Sequence, residues 1–441
     1  MRRRDLALAS AAATTAGFLL DARPRAPSAR ASPSVVPDAS PASSTAAAPP
    51  AAVPDYTLRG PYRVRRLPKL EHTCVSCFPR CVGDACLLSI DAYVPSAPPP
   101  LPDAMFPRVT VPNEREASAS PADAFSRGPY PLAVITSGFL VDAEQYASYA
   151  RRLCSWGYVV LQYNKRENVA GGNALDDVVS AAMVRELIGW ARSDVLLGPL
   201  LMRDDDDDDR PDERAARGGA RARGGGVYLI GHSRGGKISM LEGVEDERVR
   251  CACLLDPVDN TAYAPLGDGF PSAVAAMRAA PEEAGPSLCV VGGKYGGDCA
   301  PLGSNYATFL DASRRGDTWG VEVRAGHFQF LDSAGLLQRA VCLEGSAADA
   351  QVREVAQALM VAHAETAFRG VPRGRALKQT LATLEQMWGG GAFGAATNVA
   401  GGELPWIVLR DGGGGGEDED EDSEVAGDED EDSEVAVDSE G

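Results

Sequence analysis

An α/β architecture, a mostly parallel sheet with helices on both faces, is expected from three features of this 441-residue chain. Short uninterrupted apolar runs, such as Pro131 to Thr136 and Val227 to Ile230, suit parallel strands buried on both faces. Longer segments of helical periodicity alternate with them. Residues 231–235 read Gly-His-Ser-Arg-Gly, a Gly-x-Ser-x-Gly turn between one such strand and the helix formers Lys237 to Glu242.

Taken in order, Leu87 to Val94 alternates in polarity like an early half-buried strand, and a proline-rich loop, Pro95 to Pro102, follows. The Pro131–Thr136 strand is broken by Ser137-Gly138-Phe139. Asp142 to Trp156 has helical periodicity and stops at Gly157. Tyr158 to Gln162 is the next strand, and Leu175 to Leu197 a long helix. Residues 203–226 interrupt the pattern with six aspartates, Asp204 to Asp209, and Arg/Gly/Ala-rich sequence. Calcium loops alternate their ligands around a turn glycine, which this run does not, so it reads as a solvated insertion. Strands then follow the elbow at Cys251–Leu255, Leu288–Val291 and Trp319–Val323, and Ala347 to Phe368 forms a final helix.

Both ends read as unstructured, which leaves residues 56–410 as one domain large enough for a sizeable core. The formal charge is −19, but residues 411–441 carry 16 acids and no base, so the rest is near neutral at −3. A neutral body argues against nucleic acid as a partner. The tail repeats EDEDSEVA at 419–426 and 429–436 behind a glycine run, a composition that cannot form a core. Arg2-Arg3-Arg4, the apolar run Leu6 to Leu20 and Ala29-Arg30-Ala31 form a targeting region, followed by an Ala/Pro/Ser linker, so residues 1–55 stand outside the domain. It suits an organelle transit peptide or a twin-arginine signal.

Ten cysteines need two accounts. Cys74, Cys77, Cys81 and Cys86 offer only one C-x2-C clip, so two disulfides are expected there and not a zinc site. Cys154, Cys251, Cys253, Cys289 and Cys342 lie in apolar stretches and read as core thiols.

The elbow makes Ser233 a candidate nucleophile, which needs a base and an orienting carboxylate. The chain has four histidines. His72 lies in the cysteine cluster, His363 in the final helix, and His232 precedes the serine and is expected to point away. His327, just after the last strand, is the candidate base. Asp256 and Asp298 both end strands and could orient it, and Asp259 is a third carboxylate nearby. The backbone N–H groups of Arg234 and Phe139 are the expected oxyanion donors. No cofactor motif appears.

These residues resemble the chlorophyllase family. Gly231-His232-Ser233-Arg234-Gly235-Gly236-Lys237 is similar to its lipase-type motif, and Asp256-Pro257-Val258-Asp259 to its Asp-Pro-Val-Asp segment. Cys299-Ala300-Pro301-x-Gly303-x-Asn305 and Gly326-His327, followed by Phe330-Leu331-Asp332, match two more stretches. The resemblance implies an α/β-hydrolase fold, hydrolysis of the phytyl ester of chlorophyll, and Asp256 as the acid; with no cofactor motif in the chain, no cofactor or metal is expected. Platelet-activating-factor acetylhydrolases, a related group, also place the acid on the strand after the elbow. This chain departs from the family's His-Gly-Phe at Ser137 and from its following glycine at Asn260. A chloroplast location is expected, in the thylakoid lumen if the twin-arginine reading holds, with export as the alternative, and with peripheral contact with pigment-bearing membranes. Two other functions fit the same residues: a broader carboxylesterase or phospholipase A2-like lipid esterase, and a non-catalytic pigment- or lipid-binding protein.

Overall fold

Side chains of a strand alternate between its faces, so a strand covered on both sides must be apolar at nearly every position. The apolar runs of this sequence become such strands in the structure, a computed structural model that describes residues 53–96, 128–166, 175–202, 225–281, 285–315 and 317–388. The strands are β1 (Arg63–Arg66), β2 (Leu70–Thr73), β3 (Leu87–Ser96), β4 (Leu132–Thr136), β5 (Val159–Lys165), β6 (Val227–His232), β7 (Val249–Leu255), β8 (Ser287–Tyr295) and β9 (Trp319–Gly326). The helices are α1 (Ala147–Ser155), α2 (Asp177–Ser193), α3 (Arg234–Gly243), α4 (Ala273–Ala279), α5 (Tyr306–Ala312), α6 (Leu336–Val341), α7 (Asp349–Arg369) and α8 (Arg373–Trp388).

The strands form one sheet in the order β1-β3-β5-β4-β6-β7-β8-β9, and β2 also pairs with β3. The pairs from β5 through β9 are all parallel, whereas β1, β2 and β3 add an antiparallel edge. The fold is α/β, as expected. Alternation divides its core in two. Ile135, Val160, Ile230, Cys253 and Val291 belong to the layer with α1, α7 and α8. Val134, Leu161, Leu229, Leu254 and Val290 belong to the layer with α2 to α5. The chain leaves β4 to one side for β5, then returns to β4's other side as β6. Ligand crevices form where strand order reverses in this way, here at the C-terminal ends of β4 and β6.

Several boundaries move for local reasons. The expected helix from Asp142 splits into a 3-10 turn, Ala143–Tyr146, and α1, because the Asp142 side chain accepts the Glu144 N–H at 2.8 Å and caps the turn. Asp176 caps α2 in the same way, accepting the Val179 N–H at 2.6 Å. The helix read as final is followed by α8. Gly370 ends α7 in the left-handed region at φ 65°, and Pro372 lies just before the new helix. Helix α7 is buried at every position from Val355 to Glu365 because it lies between the sheet and both α1 and α8.

Cysteines 74 and 77 pair, as do 81 and 86. The reading of Cys342 as a core thiol is wrong: it is bonded to Cys299, with Cα atoms 5.8 Å apart. The loop after β8 and the end of α6 meet there, a proximity that a sequence separation of 43 conceals. Cys154, Cys251, Cys253 and Cys289 are buried free thiols. The expected targeting region, the acidic tail, most of the proline-rich loop and most of the aspartate insertion lie outside the described residues. No helix among the described residues is long and apolar enough to cross a membrane.

His363 on α7 is fully enclosed by this core. Its Nε2 lies 3.0 Å from the Ser287 hydroxyl, and its ring meets Trp319 and Tyr228. Burial pulls its pKa from an ordinary 6.5 to about 3. Below pH 6.5 the unfolded chain therefore takes up a proton that the folded chain refuses. Stability falls as pH drops from 6.5 toward 3, by about 1.4 kcal/mol per pH unit from this group. His363→Gln is expected to flatten part of that decline. Melting temperatures of both proteins across the acid range check this, and parallel profiles would remove His363 as a cause.

Candidate active site

Strand β6 gives way to α3 within one residue, and Ser233 is that residue. Its backbone takes φ 56° and ψ −128°, a conformation a non-glycine residue adopts only when its surroundings enforce it. The flanking glycines make the turn sterically possible. A Cβ on Gly231 would collide with the Gly235 carbonyl, and one on Gly235 with the Thr136 carbonyl of β4. The backbone is tied on both sides: Ser233 donates its N–H to the Leu255 carbonyl and accepts the Val258 N–H.

The structure brings Ser233, His327 and Asp256 together. The Ser233 hydroxyl lies 2.8 Å from His327 Nε2. His327 Nδ1 lies 2.6 Å from Asp256 Oδ2. A carboxylate only accepts, so Nδ1–H donates to Asp256 and Nε2 is left to accept from the serine. Asp256, fully buried at the end of β7, receives the Gly293 N–H on its other oxygen at 2.8 Å. Its φ of 42° is again left-handed, and its N–H is held by the Val291 carbonyl of β8. His327 follows β9 and opens a short 3-10 turn.

The other candidates fall elsewhere. Asp298 is exposed in the 3-10 turn after β8 and borders the cavity. Asp259 caps the start of α4, receiving the Ser272 hydroxyl at 2.5 Å and the Ala273 N–H at 2.7 Å. His72 pairs with Glu186 beside the disulfide-bonded cluster, and His363 lies in the core. His232 does not point away from the site. Its ring is buried against that of His327, with centroids 4.8 Å apart, because strand alternation turns it under the histidine loop.

Arg234 opens α3, so its backbone N–H stands at the helix N-terminus beside Ser233. The loop carrying Phe139 lies against Ser233: a Cβ on Gly138 would be 3.2 Å from the serine Cβ. The Phe139 ring also stacks on the Arg234 guanidinium, 5.5 Å away. A cavity of about 230 Å³ opens in front of Ser233 and His327, lined by Phe139, Val258, Tyr263, Phe270, Phe328 and Val341 among others. Leu140 borders a neighbouring cavity, and Phe330 is buried behind His232. Among the described residues, no group of three or more His, Cys, Asp or Glu could hold a metal.

Asp177 was not singled out from the sequence. It is buried at the start of α2 and holds two cations of the elbow helix, Arg234 at 2.6 Å and Lys237 at 2.8 Å. The signal was present in Arg234 and Lys237, which lie three apart on a helix that had to be buried and so required a counter-charge. Removing one partner of a buried ion pair typically costs about 3–5 kcal/mol, because the remaining charges lose their compensation. Asp177→Ala is expected to lose stability of this order in urea denaturation. A change below about 1 kcal/mol would mean that Asp177 does not anchor the elbow.

The family model described as Chlorophyllase matches residues 118–383. This match spans β4 through α7 and contains Ser233, Asp256 and His327. No curated protein matches the chain at a significant level. With more than half of its length matched, the chain belongs to the chlorophyllase family, a family of ester hydrolases with an α/β fold.

Proposed function

We propose that this protein is a serine hydrolase that cleaves the phytyl ester of chlorophyll to chlorophyllide and phytol. The observation that carries the reading is the hydrogen-bonded Ser233–His327–Asp256 chain opening onto an apolar cavity, in a member of this family. A serine hydroxyl alone is a weak nucleophile, and a histidine with a fixed tautomer removes that weakness.

In this reading His327 Nε2 takes the Ser233 proton as Oγ attacks the ester carbonyl. Asp256 stabilises the resulting imidazolium. The Arg234 and Phe139 N–H groups receive the oxyanion, where a single such donor is worth about 2.7–4 kcal/mol of the barrier. Phytol leaves with the proton returned by His327. Water, deprotonated by the same histidine, then attacks the acyl-enzyme and releases chlorophyllide as its carboxylate. The magnesium of chlorophyll belongs to the substrate. Apolar side chains on the segments that follow the parallel strands, among them Leu140, Tyr263, Leu302 and, at the start of α6, Leu336, are exposed. They support peripheral contact with a pigment-bearing membrane, in a chloroplast to which the basic N-terminal region would direct the chain.

Incubation of purified protein with chlorophyll a, with chlorophyllide followed by chromatography, tests the substrate. Turnover of short p-nitrophenyl esters or acetylated phospholipids without chlorophyllide would favour the broader lipid-esterase reading, and pigment binding without turnover would favour a binding protein. Ser233→Ala is expected to lower hydrolysis by at least about 10³-fold in a protein that still folds. Activity within about tenfold of wild type would remove Ser233 as nucleophile.

Asp256→Asn is expected to lower kcat strongly, on the order of 10³–10⁴-fold, by disturbing the tautomer of His327. Asp298→Asn is expected to stay within a few-fold, about the size of a surface change. Steady-state kinetics of the two variants decide, and a larger loss at Asp298 would reverse the assignment.

A further inference from the structure

His232 and Tyr146 are buried side chains with polar groups that lie between the oxyanion loop and the base. Nε2 of His232 lies 3.0 Å from the carbonyl oxygen of His327. A carbonyl only accepts, so Nε2 carries a hydrogen. Burial, reinforced by the neighbouring His327 ring, holds the His232 pKa well below the ordinary histidine value. The ring is therefore neutral, and its Nδ1 is an acceptor. The Tyr146 hydroxyl, 2.8 Å from that nitrogen, donates to it. Burial raises the phenol's pKa, which keeps the proton in place. The phenol oxygen in turn receives the Gly138 N–H at 3.2 Å.

Every donor in this chain thus has one direction. Gly138 N–H points to Tyr146, Tyr146 O–H to His232, and His232 N–H to the backbone of His327. One end lies in the loop that carries Phe139, and the other on the residue that carries the base. The Gly138 carbonyl is also held, receiving the Val141 N–H at 3.2 Å. In a planar trans peptide the Phe139 N–H points opposite to that carbonyl, so fixing both polar groups of Gly138 fixes the direction of the Phe139 donor. Gly138 also touches its neighbours closely: a Cβ there would lie 3.1 Å from His232 Nδ1.

We propose that Tyr146 and His232 are positioning residues that couple the direction of the Phe139 oxyanion donor to the placement of His327. The coupling rests on the ester-hydrolase reading of Ser233. Neither side chain lines the cavity, so both act through the groups they hold. A mispositioned oxyanion donor weakens transition-state binding and leaves ground-state binding unchanged, so the effect belongs in kcat and not in KM.

The test uses Tyr146→Phe, His232→Gln and the double variant in the full-length protein, with a p-nitrophenyl ester as substrate and thermal unfolding alongside. Each single variant is expected to lower kcat about 10–100-fold with KM within about twofold. Because both belong to one chain, the double variant is expected to lose no more than about twofold beyond the worse single. Tyr146→Phe with kcat within about twofold of wild type would overturn the coupling, as would losses that multiply in the double variant. Absence of hydrolysis in the wild type would overturn the hydrolase reading and the coupling together. A second measurement serves if the variants do not fold. Nitrogen-15 NMR of the histidine-labelled wild type is expected to show His232 as the neutral Nε2–H tautomer at neutral pH. A charged ring or an Nδ1–H tautomer would overturn the proposal.

Discussion

The backbone of Ser233 is the constraint on which the site depends. A parallel strand and a helix meet there without a connecting loop, so one residue must make the turn, and it does so in a region that costs about 1–3 kcal/mol. The surroundings supply what holds it. Gly231 and Gly235 allow the backbones of β4, β6 and α3 to approach, and Ser233 is hydrogen-bonded to the chain leaving β7. Asp177 fixes the first turn of α3 through Arg234 and Lys237. A strained turn of this kind keeps its geometry only inside a rigid frame, and the central parallel strands provide that frame.

The same frame places the partners. Strands β6, β7, β8 and β9 are successive neighbours running in one direction, so their C-terminal ends share an edge. Ser233 follows β6, Asp256 follows β7, and His327 follows β9. Between Asp256 and His327 stands β8, whose Gly293 N–H binds the second carboxylate oxygen. Three side chains distant in sequence thus meet within hydrogen-bond reach on one edge. Strand β4, on the other side of β6, brings the Ser137-Gly138-Phe139 loop against the serine. The polar chain through Tyr146 and His232 then joins the two sides beneath them.

Much of this was legible in the sequence where a local pattern carries the physics. Continuous apolar runs gave β4, β6 and β8 because strands buried on both faces cannot be anything else. Glycine spacing around Ser233 exposed the elbow for the same steric reason. His327 was found by its position after the last strand, and the structure joins it to Ser233. The choice of Asp256 over Asp298 needed the family resemblance, since both end strands and only three-dimensional placement distinguishes them. What stayed hidden was long-range: the Cys299–Cys342 bond, the Asp177 counter-charge, and the His232 contacts under His327. Short elements such as β1, β2, α4 and α5 were missed because their few residues carry no period, and α8 because Gly370, Pro372 and Gly374 around its start are helix-ending signals.

The central claim is that an ester of chlorophyll passes through an acyl-enzyme on Ser233. Hydrolysis of chlorophyll a in oxygen-18 water tests it most directly, with mass spectrometry of both products. The account predicts chlorophyllide whose new carboxylate carries the heavy oxygen, phytol that carries none, and a mass adduct of the acyl group on the Ser233 peptide after rapid acid quenching. Heavy oxygen in phytol, or chlorophyllide formed equally well by protein lacking the Ser233 hydroxyl, would contradict it.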